Sequence, residues 1–190
     1  MPKANDAALD FLQTRRSRPA KTLVAPGPSR EELEALLVLA ARTPDHGKLE
    51  PWRFVVVEKD AMTRLADEAE RTARSLGYDD EKTAKARNQF DQGISAVIVI
   101  ESPVLSEKIP AIEQTYSAGA VCLALLNAAL ASGWGANWLS GAISHERLFV
   151  ESALGLTPHE RIAGIIHIAT ETNTPPDRPR PDVKAKTSWL

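Results

Sequence analysis

The feature that most constrains the fold is a long run rich in alanine and leucine, from Pro110 to Ser132. These residue types are the strongest helix formers, and Gly133 stands where the C-terminus of a helix is often capped. The run is apolar on nearly every side, which is typical of a buried helix, and small residues cluster near its middle at 117–120. We therefore expect a central buried helix against which the rest of the chain packs.

Shorter segments predict a small sheet and further helices around this central helix. Apolar runs predict strands at 54–57, 96–100, 134–139 and 162–169. Helical patterns occupy 4–14, 29–43, 60–77, 80–88 and 144–154, with a capping box formed by Ser29 and Glu32 and with Asp60 as a further cap. The alternation of helices and strands favours a single domain, 1–170, built as an α+β or α/β sandwich. Residues 171–190 are proline-rich without periodicity and are expected to form a C-terminal arm.

Composition and charge exclude several classes of function. The 23 basic and 25 acidic residues give a net charge of −2, so no basic surface is expected for nucleic acid. The N-terminus lacks the apolar core of a signal peptide, and no stretch reaches the roughly 18 apolar residues needed to cross a membrane. The single cysteine, Cys122, lies in an apolar run, where we expect an inert thiol. These features favour the reducing environment of the cytoplasm.

The sequence lacks the complete motifs of several common enzyme classes. The stretch 133–135 lacks the third glycine of a dinucleotide fingerprint and follows a helix instead of a strand. Neither a phosphate-binding GxxxxGK[ST] loop nor a hydrolase GxSxG turn occurs. The four histidines lack the spacing of metal ligands, so no metal site is expected. His167, inside an apolar strand, is expected to be a core residue whose hydrogen bonds are satisfied.

Three other segments place cations, backbone amides and rigid turns where an anionic, planar ligand could bind. The first segment is Arg15-Arg16-Ser17. Its arginines can form paired hydrogen bonds with a phosphate, and Ser17 adds a hydroxyl group. Alternatively, the segment is the solvated basic end of a helix. The proline-bounded loop that begins at residue 41 either lines a pocket or is an ordinary connector into the strand after Pro51. The stretch 133–141, with three glycines and two tryptophans, either admits a flat ligand close to the backbone or simply caps the long helix.

Taken together, in this order and spacing, these segments resemble the nitroreductase family, in its short, single-domain branch of NAD(P)H nitroreductases. The matching motifs are Arg-Arg-Ser at 15–17, Arg-x-Pro-Asp-His at 42–46, Pro-Trp-Arg-Phe at 51–54, Ser-Ala-Gly at 117–119 and Trp-x-Ser-Gly at 138–141. The resemblance assigns FMN binding to Arg15, Arg16, Ser17, Arg42, His46, Trp138, Leu139 and Ser140. It assigns binding of the nicotinamide cofactor to Ala128, Ala129, Leu130, Ala131, Ser132 and Gly133. Glu50 and Leu139 depart from the family pattern, so the reduction potential of the flavin is not implied.

The resemblance also implies an architecture and an activity. The architecture is an α+β three-layer sandwich that forms a domain-swapped-type homodimer, with FMN sites at the interface. The activity is ping-pong hydride transfer from NADH or NADPH to a nitroaromatic, quinone or similar small electron acceptor, with the chemistry carried by FMN and not by a catalytic side chain. The sequence does not choose between NADH and NADPH, and it leaves open whether Arg178 or Arg180 touches FMN.

Alternative functions stay open at the level of the sequence. The same fold and site also serve dehydrogenation and dehalogenation, because a fold does not determine a reaction. A non-catalytic flavin-binding protein would use the same ligands for the cofactor. A plain interaction domain without a cofactor would leave the three polar segments unexplained.

Overall fold

The computed structural model describes residues 3–190, so residues 1 and 2 of the expected domain lie outside the described range. The helices are α1 (Asp6–Thr14), α2 (Arg30–Ala40), α3 (Lys59–Ser75), α4 (Asp80–Asn88), α5 (Ala111–Ala131) and α6 (Arg147–Leu154). The strands are β1 (Leu23–Val24), β2 (Trp52–Val57), β3 (Ala96–Glu101), β4 (Gly135–Leu139) and β5 (Arg161–Glu171). Each strand predicted from an apolar run is present, and β1 is a short addition.

Local signals set the beginnings of several helices. The predicted capping box opens α2: the Ser29 hydroxyl accepts from the Glu32 N–H (3.2 Å), and the Glu32 carboxylate accepts from the Ser29 N–H (2.7 Å). The side chain of Asp79 caps α4, which occupies the predicted range. The expectation for Asp60 is wrong, because α3 begins at Lys59 and places Asp60 inside its first turn. There its negative charge interacts favourably with the helix dipole, but its side chain does not cap the end of the helix.

The sheet is antiparallel and centred on β3 and β5. Residues 165–167 of β5 pair with both β3 and β4, and the last two residues of β5 pair with β1. β2 extends the sheet by pairing with β3 over its whole length, from Trp52 opposite Glu101 to Val57 opposite Ala96. Every residue of β3 is buried, as its continuous apolar sequence predicts for a strand covered on both faces.

Helices cover both faces of the sheet. One hydrophobic core contains residues of α3, α4 and α6, and the other contains residues of α2 and α5. Neighbouring residues of one strand enter different cores, Ile165 the first and Ile166 the second, because successive side chains of a strand point to opposite faces. The predicted α+β three-layer sandwich is therefore confirmed.

The central helix α5 is buried on one side only. Val121, Cys122 and Leu125 of its inner face belong to the core, whereas the apolar side chains of Ile112 and Leu123 on its outer face are exposed. The expectation of a fully buried helix is thus wrong within a single chain. The expectation that no stretch is apolar enough to cross a membrane is also wrong, because α5 is long and apolar enough, by length and composition alone, to cross a bilayer.

The final third of the chain departs from prediction in two places. The helix expected at 144–154 is split, because Glu146 is extended (φ −78°, ψ 115°) between a 3₁₀ turn at Ala142–His145 and α6. β5 runs to Glu171, and almost all residues after it are exposed, with a 3₁₀ turn at Lys184–Lys186. The boundary between domain and arm stays a prediction.

Candidate functional site

The first predicted group, Arg15 to Ser17, borders a cleft of about 220 Å³ formed where α1, α5 and β5 end. The residues that line it are Phe11, Thr14, Arg15, Arg16, Arg18, Leu130, Gly133, Trp134 and Glu171. The cleft therefore combines two predicted arginines with two residues of the stretch that the resemblance assigned to the nicotinamide cofactor.

The two arginines of this cleft lack full hydrogen bonding. Within residues 3–190, the buried Nε atoms of Arg15 and Arg16 have no hydrogen-bond partner. Burial lowers the pKa of Arg15, and repulsion from Arg180 and Arg16 lowers it further. Arg15 also donates to the Ser17 hydroxyl (3.2 Å). Because a buried cation is costly unless it is paired and hydrogen-bonded, these residues fit an anionic group such as a phosphate.

The stretch predicted for the nicotinamide cofactor is only partly accessible. Ala128 and Ala129 are buried, whereas residues 130–133 are half-buried or exposed. Gly133 has a φ of +86°, and the Trp134 N–H donates to the Ala129 carbonyl (3.0 Å), which closes the end of α5. A ligand that reaches this stretch therefore meets residues 130–133.

The second predicted group, Arg42 and His46, lies in the connection between α2 and β2. Arg42 is exposed beyond the end of α2. His46 is also exposed, and its Nδ1 lies 2.7 Å from Oε2 of Glu113, in the first turn of α5. The second group is therefore placed beside the N-terminal part of α5.

Hydrogen bonds to α5 fix the loop that carries the second group. Ser117 of α5 donates to the Pro44 carbonyl (3.1 Å) and accepts from the Trp52 indole (3.3 Å). The loop also contains three residues with positive φ, Gly47 (73°), Lys48 (54°) and Glu50 (48°), a conformation that non-glycine residues seldom adopt. These contacts give a physical reason for the Pro-Trp and Ser-Ala-Gly motifs, which hold the loop against α5.

The third predicted group surrounds the end of β4. Trp138 is 38% exposed and packs where Gly164 has no side chain, since a Cβ on Gly164 would lie 2.2 Å from the Trp138 Nε1. Leu139 is half-buried, and Ser140 is exposed at the edge of a pocket of about 300 Å³. A Cβ on Gly141 would lie 2.2 Å from Nε2 of Gln89, so the end of this glutamine side chain packs against the glycine of the Trp-x-Ser-Gly motif.

The first and second groups do not meet within one chain. Arg15 and Arg16 share their cleft with Leu130, whereas the loop of Arg42 and His46 is anchored at Ser117. At a rise of about 1.5 Å per residue, Ser117 and Leu130 are roughly 20 Å apart along α5. The residues that the resemblance assigns to one flavin are therefore split between the two ends of a helix.

Two further residues singled out in the sequence lie in the core. Cys122 is buried, which raises the pKa of its thiol to about 12 and agrees with the expected inertness. His167 is also buried, and burial lowers its pKa to about 4. Its expected full hydrogen bonding is wrong, since Nε2 has no partner in the described part of the chain. No group of three or more His, Cys, Asp or Glu is placed to hold a metal among residues 3–190.

Sequence reasoning missed two ion pairs near the predicted motifs. Arg53 donates to both carboxylate oxygens of Glu160 (2.6 and 2.9 Å), so the arginine of the Pro-Trp-Arg-Phe motif ties β2 to the start of β5. Arg18, directly after the first motif, pairs with Glu171 inside the cleft. The partners are 107 and 153 residues away in sequence, so no local pattern links them.

Curated relatives match this chain over most of their length. The model of the nitroreductase family matches residues 12–170. The chain is 34% identical over 181 residues to the "Putative NAD(P)H nitroreductase YdjA" of Escherichia coli strain K12, which covers 95% of this chain and 92% of that protein. It is 33% identical over 165 residues to a "Putative NAD(P)H nitroreductase" of Haemophilus influenzae, with 86% and 88% covered.

Solved structures share the fold. The nitroreductase-like family protein from Bacillus cereus has a TM-score of 0.82 at 24% identity, covering 100% of this chain and 98% of that chain. A "putative nitroreductase in complex with fmn" from Desulfovibrio desulfuricans has a TM-score of 0.74 at 19% identity, covering 98% and 99%. The family model and the relatives above 30% identity confirm the predicted resemblance: this chain belongs to the nitroreductase family.

Proposed function

We propose that this chain is an FMN-dependent oxidoreductase that takes hydride from NADH or NADPH and reduces a nitroaromatic, quinone or similar small acceptor. The observation that carries the proposal is that Arg15 and Arg16 line one cleft and that each has a buried Nε without a hydrogen-bond partner among residues 3–190. These are the positions at which the resemblance puts FMN. The names of the relatives and the FMN complex of a structural neighbour support the same cofactors.

The predicted ligands take different parts of the cofactor in this proposal. Arg15, Arg16 and Ser17 bind the anionic phosphate end, since guanidinium groups match phosphate geometry. The segment 138–140 meets the ring system, since Trp138 and Ser140 are exposed there. When bound, FMN supplies the hydride transfer chemistry, and the protein contributes orientation and charge.

The exposed apolar surface supports a homodimer with a flavin site shared between chains. Ile112, Tyr116 and Leu123 follow one another along the outer face of α5, and α1 exposes Leu9 and Leu12 and buries none of its residues. Apolar surface of this kind marks an interface. In a symmetric dimer in which the two α5 helices pack antiparallel, residues at the N-terminal part of one helix lie beside the C-terminal end of the other. Arg42 and His46 of one chain then complete the cleft of its partner.

The nicotinamide donor and the electron acceptor bind in the same part of the cleft in this proposal. The nicotinamide donor has only the accessible part of 128–133 beside the flavin, because the chain has no dinucleotide fingerprint that would give it a separate site. Donor and acceptor therefore use the same space in turn, which gives ping-pong kinetics. The buried and unpaired Cys122 suits a reducing, cytoplasmic location.

The test is to identify the cofactor and then reduce it. Purified protein is expected to be yellow, and heat release followed by chromatography is expected to yield FMN. Under anaerobic conditions, NADH or NADPH should bleach the colour, and a quinone or nitroaromatic should restore it. Recovery of FAD, or of no flavin after reconstitution, would contradict the cofactor. FMN that neither nicotinamide bleaches would identify a non-catalytic flavin-binding protein.

A further inference from the structure

The cleft of Arg15 and Arg16 contains an additional arginine with a different role. Three guanidinium groups, of Arg15, Arg16 and Arg18, line the cleft together with one carboxylate, that of Glu171. The side chain of Arg18 is 14% exposed, and its Nε donates to Glu171 Oε2. Arg18 is therefore the arginine of the cleft whose charge is compensated, and the other two charges are left for a ligand.

Arg18 holds the backbone of the first motif at several points. Its Nη1 donates to the Arg16 carbonyl (2.6 Å), and its own N–H donates to the Ala136 carbonyl of β4 (2.8 Å). Its carbonyl accepts from the Asn137 side-chain amide (2.8 Å). One residue thus ties the segment 15–17 to β4, and through Glu171 to the end of β5.

The charge of the cleft matches one phosphate monoester. The two uncompensated guanidinium groups face a ligand group that carries about −1.5 to −2 at pH 7. The cleft volume of about 220 Å³ is below the roughly 300 Å³ at which pockets begin to hold a whole drug-sized ligand. A cleft of this size suits a single terminal phosphate such as that of FMN.

We propose that Arg18, paired with Glu171, is a positioning residue that presents Arg15 and Arg16 to a single phosphate monoester and so makes the site prefer FMN over riboflavin. The inference rests on the proposed function, since it concerns the same cofactor. Arg18 acts through the segment it holds, and its guanidinium is already occupied by Glu171 and the Arg16 carbonyl. The preference for the phosphorylated flavin is expected to depend on this forked contact, not on charge alone.

Binding of FMN and riboflavin to the full-length apoprotein tests the proposal, because riboflavin lacks the phosphate. Arg18→Lys keeps the charge but loses the fork that joins Glu171 to the Arg16 carbonyl. We expect it to weaken FMN binding about tenfold or more while riboflavin binding changes less than about twofold. Glu171→Gln keeps an acceptor for Arg18 and is expected to retain the preference for FMN. Arg71→Lys on the exposed face of α3 is the matched control and should change neither affinity.

Each other outcome has a definite meaning. Equal losses for FMN and riboflavin in Arg18→Lys would show a structural role and overturn the inference, as would unchanged FMN binding. Loss of the preference in Glu171→Gln without a loss in Arg18→Lys would assign the effect to charge and also overturn it. Wild-type protein that binds neither flavin would contradict the proposed function itself. A folded state is checked for each variant by circular dichroism, and if Arg18→Lys does not fold, Arg18→Gln takes its place with the same expectation.

Discussion

Replacement of Glu160 by glutamine should destabilise the protein in a manner that depends on pH. The carboxylate of Glu160 is 8% exposed and accepts from Arg53 at both oxygens, at 2.6 and 2.9 Å. It also accepts from the Thr157 N–H at 3.0 Å. Glutamine keeps the shape of the side chain but loses the charge and one acceptor, so the forked contact with Arg53 is broken.

The size of the effect follows from the pKa of Glu160. Hydrogen bonding from Arg53 is the largest cause that lowers this pKa, from 4.5 to about 2. A pKa difference of roughly 2.5 corresponds to about 3 kcal/mol. Because Arg53 is 41% exposed, screening by solvent reduces the expected contribution to about 1–2 kcal/mol. The folded-state pKa lies below the unfolded value, so this contribution is present above about pH 4.5 and is lost as the pH falls toward 2.

Urea unfolding of the wild type and Glu160→Gln at pH 7 and pH 3 measures this contribution. The difference in the free energy of unfolding is expected to be about 1–2 kcal/mol at pH 7 and less than half of that at pH 3. Glu151→Gln is the control, because Glu151 is 48% exposed in a surface pair with Arg147 and should cost little at either pH. A loss in Glu160→Gln that is equal at both pH values, or no larger than in Glu151→Gln, would refute the reasoning.

Three further outcomes are expected. Arg16→Ala should weaken FMN binding roughly ten- to a hundredfold in a fluorescence titration of the apoprotein, and much more than Arg178→Ala does; equal effects would mean that the anion site is misplaced. Gly164→Ala should displace the indole of Trp138, since its Cβ would lie 2.2 Å from Nε1; a tryptophan emission spectrum and an FMN affinity that match the wild type would contradict this packing. Initial rates at several fixed acceptor concentrations should give parallel double-reciprocal lines, and intersecting lines would require a separate nicotinamide site.

Elements fixed by neighbouring residues could be predicted from the sequence. The range of α4, the buried strand β3 and the capping box of α2 each depend on residues within a few positions of one another. The break at Glu146 could not be predicted in this way. Its carboxylate accepts from the Tyr78 hydroxyl (2.6 Å), a residue 68 positions away. A contact of that kind has no local signature.

The candidate site could likewise be predicted only where it depends on local motifs. Residue types and motifs pointed to Arg15, Arg16 and the loop of His46, and the buried Nε atoms of the arginines agree with an anion site. The roles of Arg18 and Glu171 were missed because their ion pair joins opposite ends of the chain. The separation of the two groups along α5 was missed as well, since it depends on contacts of Pro44 with Ser117 and of the cleft with Leu130 that are distant in sequence.

The measurement that tests the shared flavin site most directly is complementation between variant subunits. Arg16→Ala and Arg42→Ala change the first and the second group, and each homodimer then has a lesion in both of its sites. If subunits reassort at random, half of the dimers are mixed, and each mixed dimer has one site without a lesion. The mixture should therefore recover about a quarter of the wild-type FMN binding and activity.

A second mixture serves as the control. Arg16→Ala mixed with Arg15→Ala has both lesions in the same group, so every site carries one of them and no recovery is expected. Recovery of about a quarter in the first mixture and none in the second is the result that a site shared between two chains predicts. No recovery in the first mixture, after exchange of subunits has been verified by mass spectrometry, would show that all ligands come from one chain and would contradict the account.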